Sequence, residues 1–167
     1  MRPPLIQRKF LKTDATELGH ILNEFRRIVL AHPDVRFSMF SNDEELFHLP
    51  ASNLKQRIIG VFGKHYNGKL IPINEENPTV DISGFIGNQE LAQVKRRSHY
   101  LFINDRFIKS HYLHHAVKNA YENIISDDQQ PFYIIFLKLD PSKIDINIHP
   151  TKQEVKFEDE KVIYNLL

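Results

Sequence analysis

The chain has 167 residues, 41% of them hydrophobic, which suits one ordinary domain with a real core and argues against disorder. Its 22 Lys and Arg against 21 Asp and Glu leave no global field for a polyanion, so any nucleic-acid surface must come from local clustering. Cysteine is absent, which excludes disulfides, thiolate zinc sites and thiol nucleophiles and fits a reducing compartment.

No apolar run approaches the ~18–20 residues of a membrane span, and Met1-Arg2-Pro3-Pro4 leads into a basic stretch in place of a signal peptide's apolar core. A soluble, intracellular protein with no membrane partner is expected. Residues 1–12 carry Arg2, Arg8, Lys9 and Lys12 with two prolines and read as a linker or the end of a preceding domain. Asp14 with Glu17 suits a capping box. Leu18, Ile21, Leu22, Phe25, Ile28 and Val29 then recur at helical spacing. That helix should end near Ala31, because His32 precedes Pro33.

Val35–Phe40 and Glu44–Leu49 predict a hairpin turning at Ser41-Asn42-Asp43. Asn53 with Gln56 marks a helix start, Ile58, Ile59 and Phe62 give that helix an apolar face, and Gly63 suits a left-handed cap. Lys69–Asn74 and Val80–Ile86 predict strands joined across Glu75–Pro78, and Gln89–Lys95 a short helix. In Ser98–Asn104, Tyr100 and Phe102 fall on one side and Leu101 and Ile103 on the other, as in a central strand. Asn104-Asp105 suits a two-residue turn into Arg106-Phe107-Ile108. Ser110 is the expected cap of a second long helix with a core stripe of Leu113, Ala116, Val117, Ala120 and Ile124. Pro131–Leu139 is apolar enough for a mid-sheet strand. Ile144, Ile146 and Ile148 alternate with Asp145, Asn147 and His149, and Pro150 then stops the ladder. Thr151-Lys152 sits in a tight loop before Val155-Lys156-Phe157 resumes a strand, and a further helix follows Glu158-Asp159-Glu160. The fold class is therefore mixed α/β (α+β), a single domain over 13–167 with about seven to nine strands, two long helices and no repeat.

Between Lys95 and Lys118 the bases are Lys95, Arg96, Arg97, Arg106, Lys109 and Lys118, with Asp105 the one acid and His99, His111, His114 and His115 interleaved. His111, His115 and Lys118 lie a turn apart on the face opposite the core stripe. A phosphate-binding surface has this form, and so does a solvated helix face. Few aromatics accompany the bases, which favours duplex backbone contact over single-strand stacking. The i, i+4 pair His111 and His115 lacks the neighbouring Glu of a metalloprotease helix, and no metal site is assigned. Lys152 is either a solvated loop lysine or a positionable point charge. Asp145, Asn147 and His149 share a strand face with no nucleophile tied to them by spacing, and are read as hydrogen-bonding supports of the loop. No phosphate loop or Gly-rich nucleotide fingerprint is present, so nothing makes this chain a self-sufficient enzyme.

Asp145-Ile146-Asn147-Ile148-His149-Pro150-Thr151-Lys152-Gln153-Glu154-Val155-Lys156-Phe157 resembles the signature Asp-Val-Asn-Val-His-Pro-x-Lys-x-Glu-Val-Arg-Phe of the MutL family of DNA mismatch repair proteins. Phe102-Ile103-Asn104-Asp105-Arg106 resembles the family's Phe-Val-Asn-Gly-Arg, with Asp in place of Gly, and Lys9-Phe10-Leu11-Lys12 resembles its Lys-Phe-Leu-Lys. The resemblance implies the second, transducer domain of the N-terminal ATPase region, with a ribosomal protein S5 domain 2-like fold and a left-handed βαβ crossover. It implies that residues 1–12 lead from an ATPase domain lying before them. Lys152 is then the residue that reaches the γ-phosphate of ATP in that domain, with Asp145, Asn147, His149 and Pro150 holding its loop.

The implied DNA surface comprises Arg96, Arg97, Arg106, Lys109, His111 and Lys118; His111 stands where a stronger base is expected, which would make DNA affinity weaker or pH-dependent. The implied cofactor is ATP with magnesium in the full-length protein, none being expected on this fragment. The implied partners are the ATPase domain in cis, a second copy in a homodimer, a MutS-like mismatch-recognition protein and double-stranded DNA. The implied place is the bacterial cytoplasm, at the nucleoid during repair. The equivalent domain of a type II topoisomerase is the alternative, since a comparable loop lysine contacts the γ-phosphate there. An RNA-binding domain of the same fold would be strongly basic, and this chain's net charge is +1.

Overall fold

The computed structural model describes residues 5–94, 98–146 and 155–167. Helix α1 (Leu5–Ala31) leads into the hairpin β1 (Phe37–Ser41) and β2 (Glu44–Leu49), then helix α2 (Leu54–Phe62). Strands β3 (Leu70–Glu76), β4 (Asp81–Gly87), β5 (His99–Ile103) and β6 (Arg106–Ile108) follow. Helix α3 (His111–Ala120), strand β7 (Tyr133–Lys138), the hairpin β8 (Ile144–Ile146) and β9 (Val155–Phe157), and helix α4 (Glu160–Leu166) complete the order.

The centre is a five-stranded sheet in the order β3-β4-β7-β5-β6. Only β5 and β7 run parallel, in the register Leu101↔Ile135 and Ile103↔Leu137. Their connection runs through β6 and α3, because a parallel neighbour cannot be reached by a hairpin. Both strands are apolar on both faces, as expected of strands covered on two sides. Leu101, Ile103, Tyr133, Ile135 and Leu137 pack with Leu113 and Val117 of α3 and Ile163 of α4. Tyr100, Phe102, Phe132 and Ile134 pack on the other face with Val29 and Leu30 of α1, Ile58 and Val61 of α2 and Leu49 of β2. Each such fully buried side chain contributes about 1.5–3 kcal/mol.

The turns follow their residues. Asn42 and Asp43 (φ 50° and 62°), like Asn104 and Asp105 (φ 48° and 65°), adopt positive φ at both central positions, which two-residue hairpins require. Asn53 caps α2 by accepting from the Gln56 N–H at 2.8 Å, and Ser110 caps α3 by accepting from the Leu113 N–H at 3.1 Å. At Gly84, mid-sheet with φ 128°, a Cβ would lie 2.0 Å from the Ile134 carbonyl oxygen, so only glycine lets β4 approach β7 there.

Four expectations change. Helix α1 starts at Leu5, so part of the segment expected as a linker is helical and Asp14 and Glu17 lie within the helix. Gln, Arg, Lys and Leu are good helix formers, and a capping pattern does not stop a helix that can extend past it. Gly63 takes φ 117° and ψ 161°, a positive φ outside the left-handed helical region, while its N–H still closes on the Ile59 carbonyl. Gln89–Lys95 is reduced to a 3-10 turn over Gln89–Leu91. Helix α3 stops at Ala120, which is exposed, as is Ile124; Tyr121 takes the buried place and donates its O–H to the Gly87 carbonyl. Asn123, at φ 69°, turns the chain away.

Candidate functional site

Two regions hold the residues singled out in the sequence, and the first is the β8–β9 hairpin. Its strands pair Ile144↔Phe157, Asp145↔Lys156 and Ile146↔Val155, which brings residues 146 and 155 side by side. The approach to β8 is fixed. Asp140 accepts from the Ser142 N–H at 3.0 Å and from the Ser142 hydroxyl at 2.9 Å, and these bonds hold its carboxyl below the usual range. The Glu158 N–H donates to the Lys143 carbonyl, and the Lys143 ammonium faces Asp159 at 3.5 Å. Asn104 clasps Leu139 with two hydrogen bonds of 3.0 and 2.9 Å. Of the predicted loop residues, Asp145 lies in β8, and Asn147, His149, Pro150 and Lys152 lie outside the described residues.

The second region is a cleft of about 520 Å³ bounded by α1, β5, the end of β6 and α3. Of the residues expected at the DNA surface, Lys109, His111 and Lys118 line it. Arg106 is exposed at the opposite end of β6, and Arg96 and Arg97 lie outside the described residues. The fold adds Arg27 from α1, more than eighty positions from Lys109 in sequence. The Arg27 guanidinium sits 4.0 Å from the centre of the Phe107 ring and bonds Glu24. Among the described residues that line the cleft, none is an acid.

Histidines form its wall. His99 stacks on His114 with ring centroids 4.1 Å apart. His114 bonds the Tyr133 hydroxyl through Nδ1 and Gln130 Oε1 through Nε2, each at 2.8 Å. Burial pushes the Tyr133 phenol well above its ordinary value, so its proton stays in place. The Tyr100 phenol at the cleft is also raised by burial, with Arg26 and Arg27 opposing. Asn119 donates to the Tyr164 oxygen at 3.0 Å, which directs the phenol proton to His115 Nδ1 at 2.7 Å. Lys118 donates to the Asp127 carbonyl at 2.9 Å. Among the described residues, no three His, Asp or Glu side chains gather to hold a metal, and no helix is long and apolar enough to cross a membrane.

Sequence reasoning overlooked Arg27 and Arg57. Arg27 offered the faint signal of a base beside an apolar stripe. Arg57 is 1% exposed and donates to the carbonyls of Val29, His32, Pro33, Val35 and Pro50 at 2.6–3.1 Å. It satisfies the Val29 carbonyl that the end of α1 leaves open, together with carbonyls of the segment that follows α1 and of Pro50, and its only sequence mark is its place beside Ile58.

Residues 58–167 match the family model described as DNA mismatch repair protein, C-terminal domain. The chain is 50% identical over 161 residues to the DNA mismatch repair protein MutL of Flavobacterium psychrophilum, covering 96% of this chain and 26% of that protein. It is 48% identical to MutL of Bacteroides fragilis, with the same two shares. The chain thus spans about a quarter of the length of the curated relatives it matches. Among solved structures, the N-terminal domain of a DNA repair protein superimposes with a TM-score of 0.76 at 18% identity, over 98% of this chain and 54% of that one. The Aquifex aeolicus MutL ATPase domain complexed with ADP superimposes with a TM-score of 0.59 at 25% identity, over 81% and 48%. The expected mixed α/β architecture, ribosomal protein S5 domain 2-like, is the fold of these ATPase-region neighbours. By the match over residues 58–167 and the identity with its curated members, this chain belongs to the MutL family of DNA mismatch repair proteins.

Proposed function

We propose that this chain is the transducer domain of a MutL-type mismatch repair ATPase, presenting Lys152 to a neighbouring ATP site and a basic face to double-stranded DNA. The observation that carries the reading is the closed base of the β8–β9 hairpin. The pair Ile146↔Val155 pins both ends of the stretch that bears Lys152. An ammonium carried between two paired strand ends can be aimed at a terminal phosphate and can stabilise charge that develops there. Asp145, Asn147, His149 and Pro150 support that loop. ATP, with magnesium, would supply the phosphate in the full-length protein. The ATPase domain lies in cis before residues 1–12, and the chain alone does not hydrolyse ATP. Lys152 then senses the nucleotide, because its contact lasts only while the γ-phosphate does.

The DNA face is built from Arg96, Arg97, Arg106, Lys109, His111 and Lys118. Its support is that Lys109, His111 and Lys118 share one acid-free cleft among the described residues. In the cell the full protein acts as a homodimer with a MutS-like partner, in the bacterial cytoplasm at the nucleoid. The test joins this chain to its ATPase domain and compares ATP turnover with and without Lys152→Ala. A loss of about tenfold or more is expected from removing one charge-stabilising group; unchanged turnover would sink the role given to Lys152.

A further inference from the structure

We infer that the cleft between α1, β5–β6 and α3 is a proton-linked phosphate site, in which His111 and His115 take up protons as a phosphate enters. The inference rests on the reading of this face as the DNA surface and adds to it a regulation by pH.

The fixed cations Arg27, Lys109 and Lys118 approach from three elements, and no acid lines the cleft among the described residues. The nearest opposing charge on α1 is Glu24, already bonded to Arg27. Asp127 offers its main-chain oxygen to Lys118. Such a cleft attracts a tetrahedral anion at any pH. The histidines make the attraction conditional, since imidazole is the side chain whose charge ordinarily changes between pH 5 and 8.

The four rings are not equivalent. His114 is fixed at both nitrogens by Tyr133 and Gln130, and it stacks on His99. Two charged rings at 4.1 Å would repel, so this stack serves as wall and takes no more than one charge. His111 is exposed on the first turn of α3. His115, also exposed, accepts the Tyr164 proton at Nδ1, which leaves Nε2–H to face a ligand. When Nδ1 gains a proton, the Tyr164 hydroxyl can rotate and become the acceptor. His115 is therefore hydrogen-bonded in both charge states. From α4 the group facing it is the Tyr164 phenol, and from α3 itself Asn119 and Lys118.

Linkage sets the sign. A phosphate beside a ring favours its proton, so the proton favours the phosphate equally. The bound state holds more protons, and affinity rises as pH falls. Each ring whose proton affinity rises about tenfold on contact adds up to about a tenfold gain in affinity as pH falls.

The test titrates the chain with a duplex of about 20 base pairs by calorimetry, in two buffers of different ionisation enthalpy near pH 7, and repeats it on His111→Gln/His115→Gln. A parallel pH titration follows the histidine ring protons by NMR with and without inorganic sulfate, a dianion that does not titrate in this range. We expect the duplex to bring an uptake of up to about one proton, about half from each ring. The double variant should abolish that uptake and bind the duplex more weakly at low pH, with an affinity that no longer rises as pH falls. Sulfate should raise the midpoints of both rings. Duplex binding without proton uptake, or uptake that the double variant leaves unchanged, would overturn the inference and leave the DNA reading standing. Absence of duplex binding with both midpoints raised by sulfate would keep the phosphate site and sink the DNA reading. Midpoints indifferent to sulfate together with no duplex binding would sink both.

Discussion

Asn104 and Leu139 hold each other by two hydrogen bonds, the Asn104 amide donating to the Leu139 carbonyl at 3.0 Å and accepting its N–H at 2.9 Å. The Asn104 N–H also reaches the Leu137 carbonyl at 2.9 Å. The tip of the β5–β6 hairpin is thereby tied to the segment that leaves β7 for β8. The asparagine of the Phe-Ile-Asn-Asp-Arg motif is thus a fastener between the β5–β6 turn and the approach to β8.

Replacing Asn104 with Ala removes both side-chain bonds and places alanine at φ 48°. A loss of about 2–3 kcal/mol is expected by urea unfolding, from two bonds and a strained backbone. Asp105→Gly should act oppositely. Asp105 sits at φ 65°, where glycine carries no penalty, so a gain of about 0.5 kcal/mol is expected after the entropy cost of glycine. A loss of stability in Asp105→Gly would show that the Asp105 side chain makes a contact worth more than the relief.

Arg57→Met keeps the bulk of the side chain but strands the carbonyls of Val29, His32, Pro33, Val35 and Pro50. Burial draws the guanidinium pKa down, with Asp34 opposing, and the five acceptors stabilise its charge. A loss of about 3–5 kcal/mol is expected. Arg57→Lys should recover part of it, because an ammonium has three donors and no fork. Equal stability of wild type and Arg57→Met in thermal unfolding would mean that water replaces the guanidinium at no cost.

Arg106→Glu/Lys109→Glu should weaken duplex binding and lower the slope of log affinity against log salt by about two, one for each phosphate that is no longer neutralised. An unaltered slope would place the DNA elsewhere on the domain.

What the sequence made legible was mostly local. Asn53 and Ser110 cap helices, and Asn104-Asp105 turns a hairpin, because each preference acts within a few residues. The central places of β5 and β7 were readable too, since an apolar residue on each face requires cover on both. The start of α1 was not, because a capping pattern inside a run of helix formers gives no instruction to stop. Nor was the cleft. Lys109, His111 and Lys118 are neighbours in sequence, but Arg27 joins them only because the end of α1 packs over β6. Arg57 was hidden for the same reason: its acceptors are carbonyls, which carry no residue signature.

Helix α1 has 27 residues and is about 40 Å long at 1.5 Å per residue. Among the described side chains its anchorage lies toward one end, where Val29 and Leu30 are buried, Phe25 packs on Phe37 and Phe47, and Arg57 binds the Val29 carbonyl. Asp14, Thr16, Glu17, Gly19, His20 and Ile21 are all exposed. Mechanically this is a lever with its fulcrum at the edge of the cleft, since Arg27 belongs both to the anchored end and to the cleft wall. A tilt of about 10° at the fulcrum would carry the far tip through about 7 Å over that length.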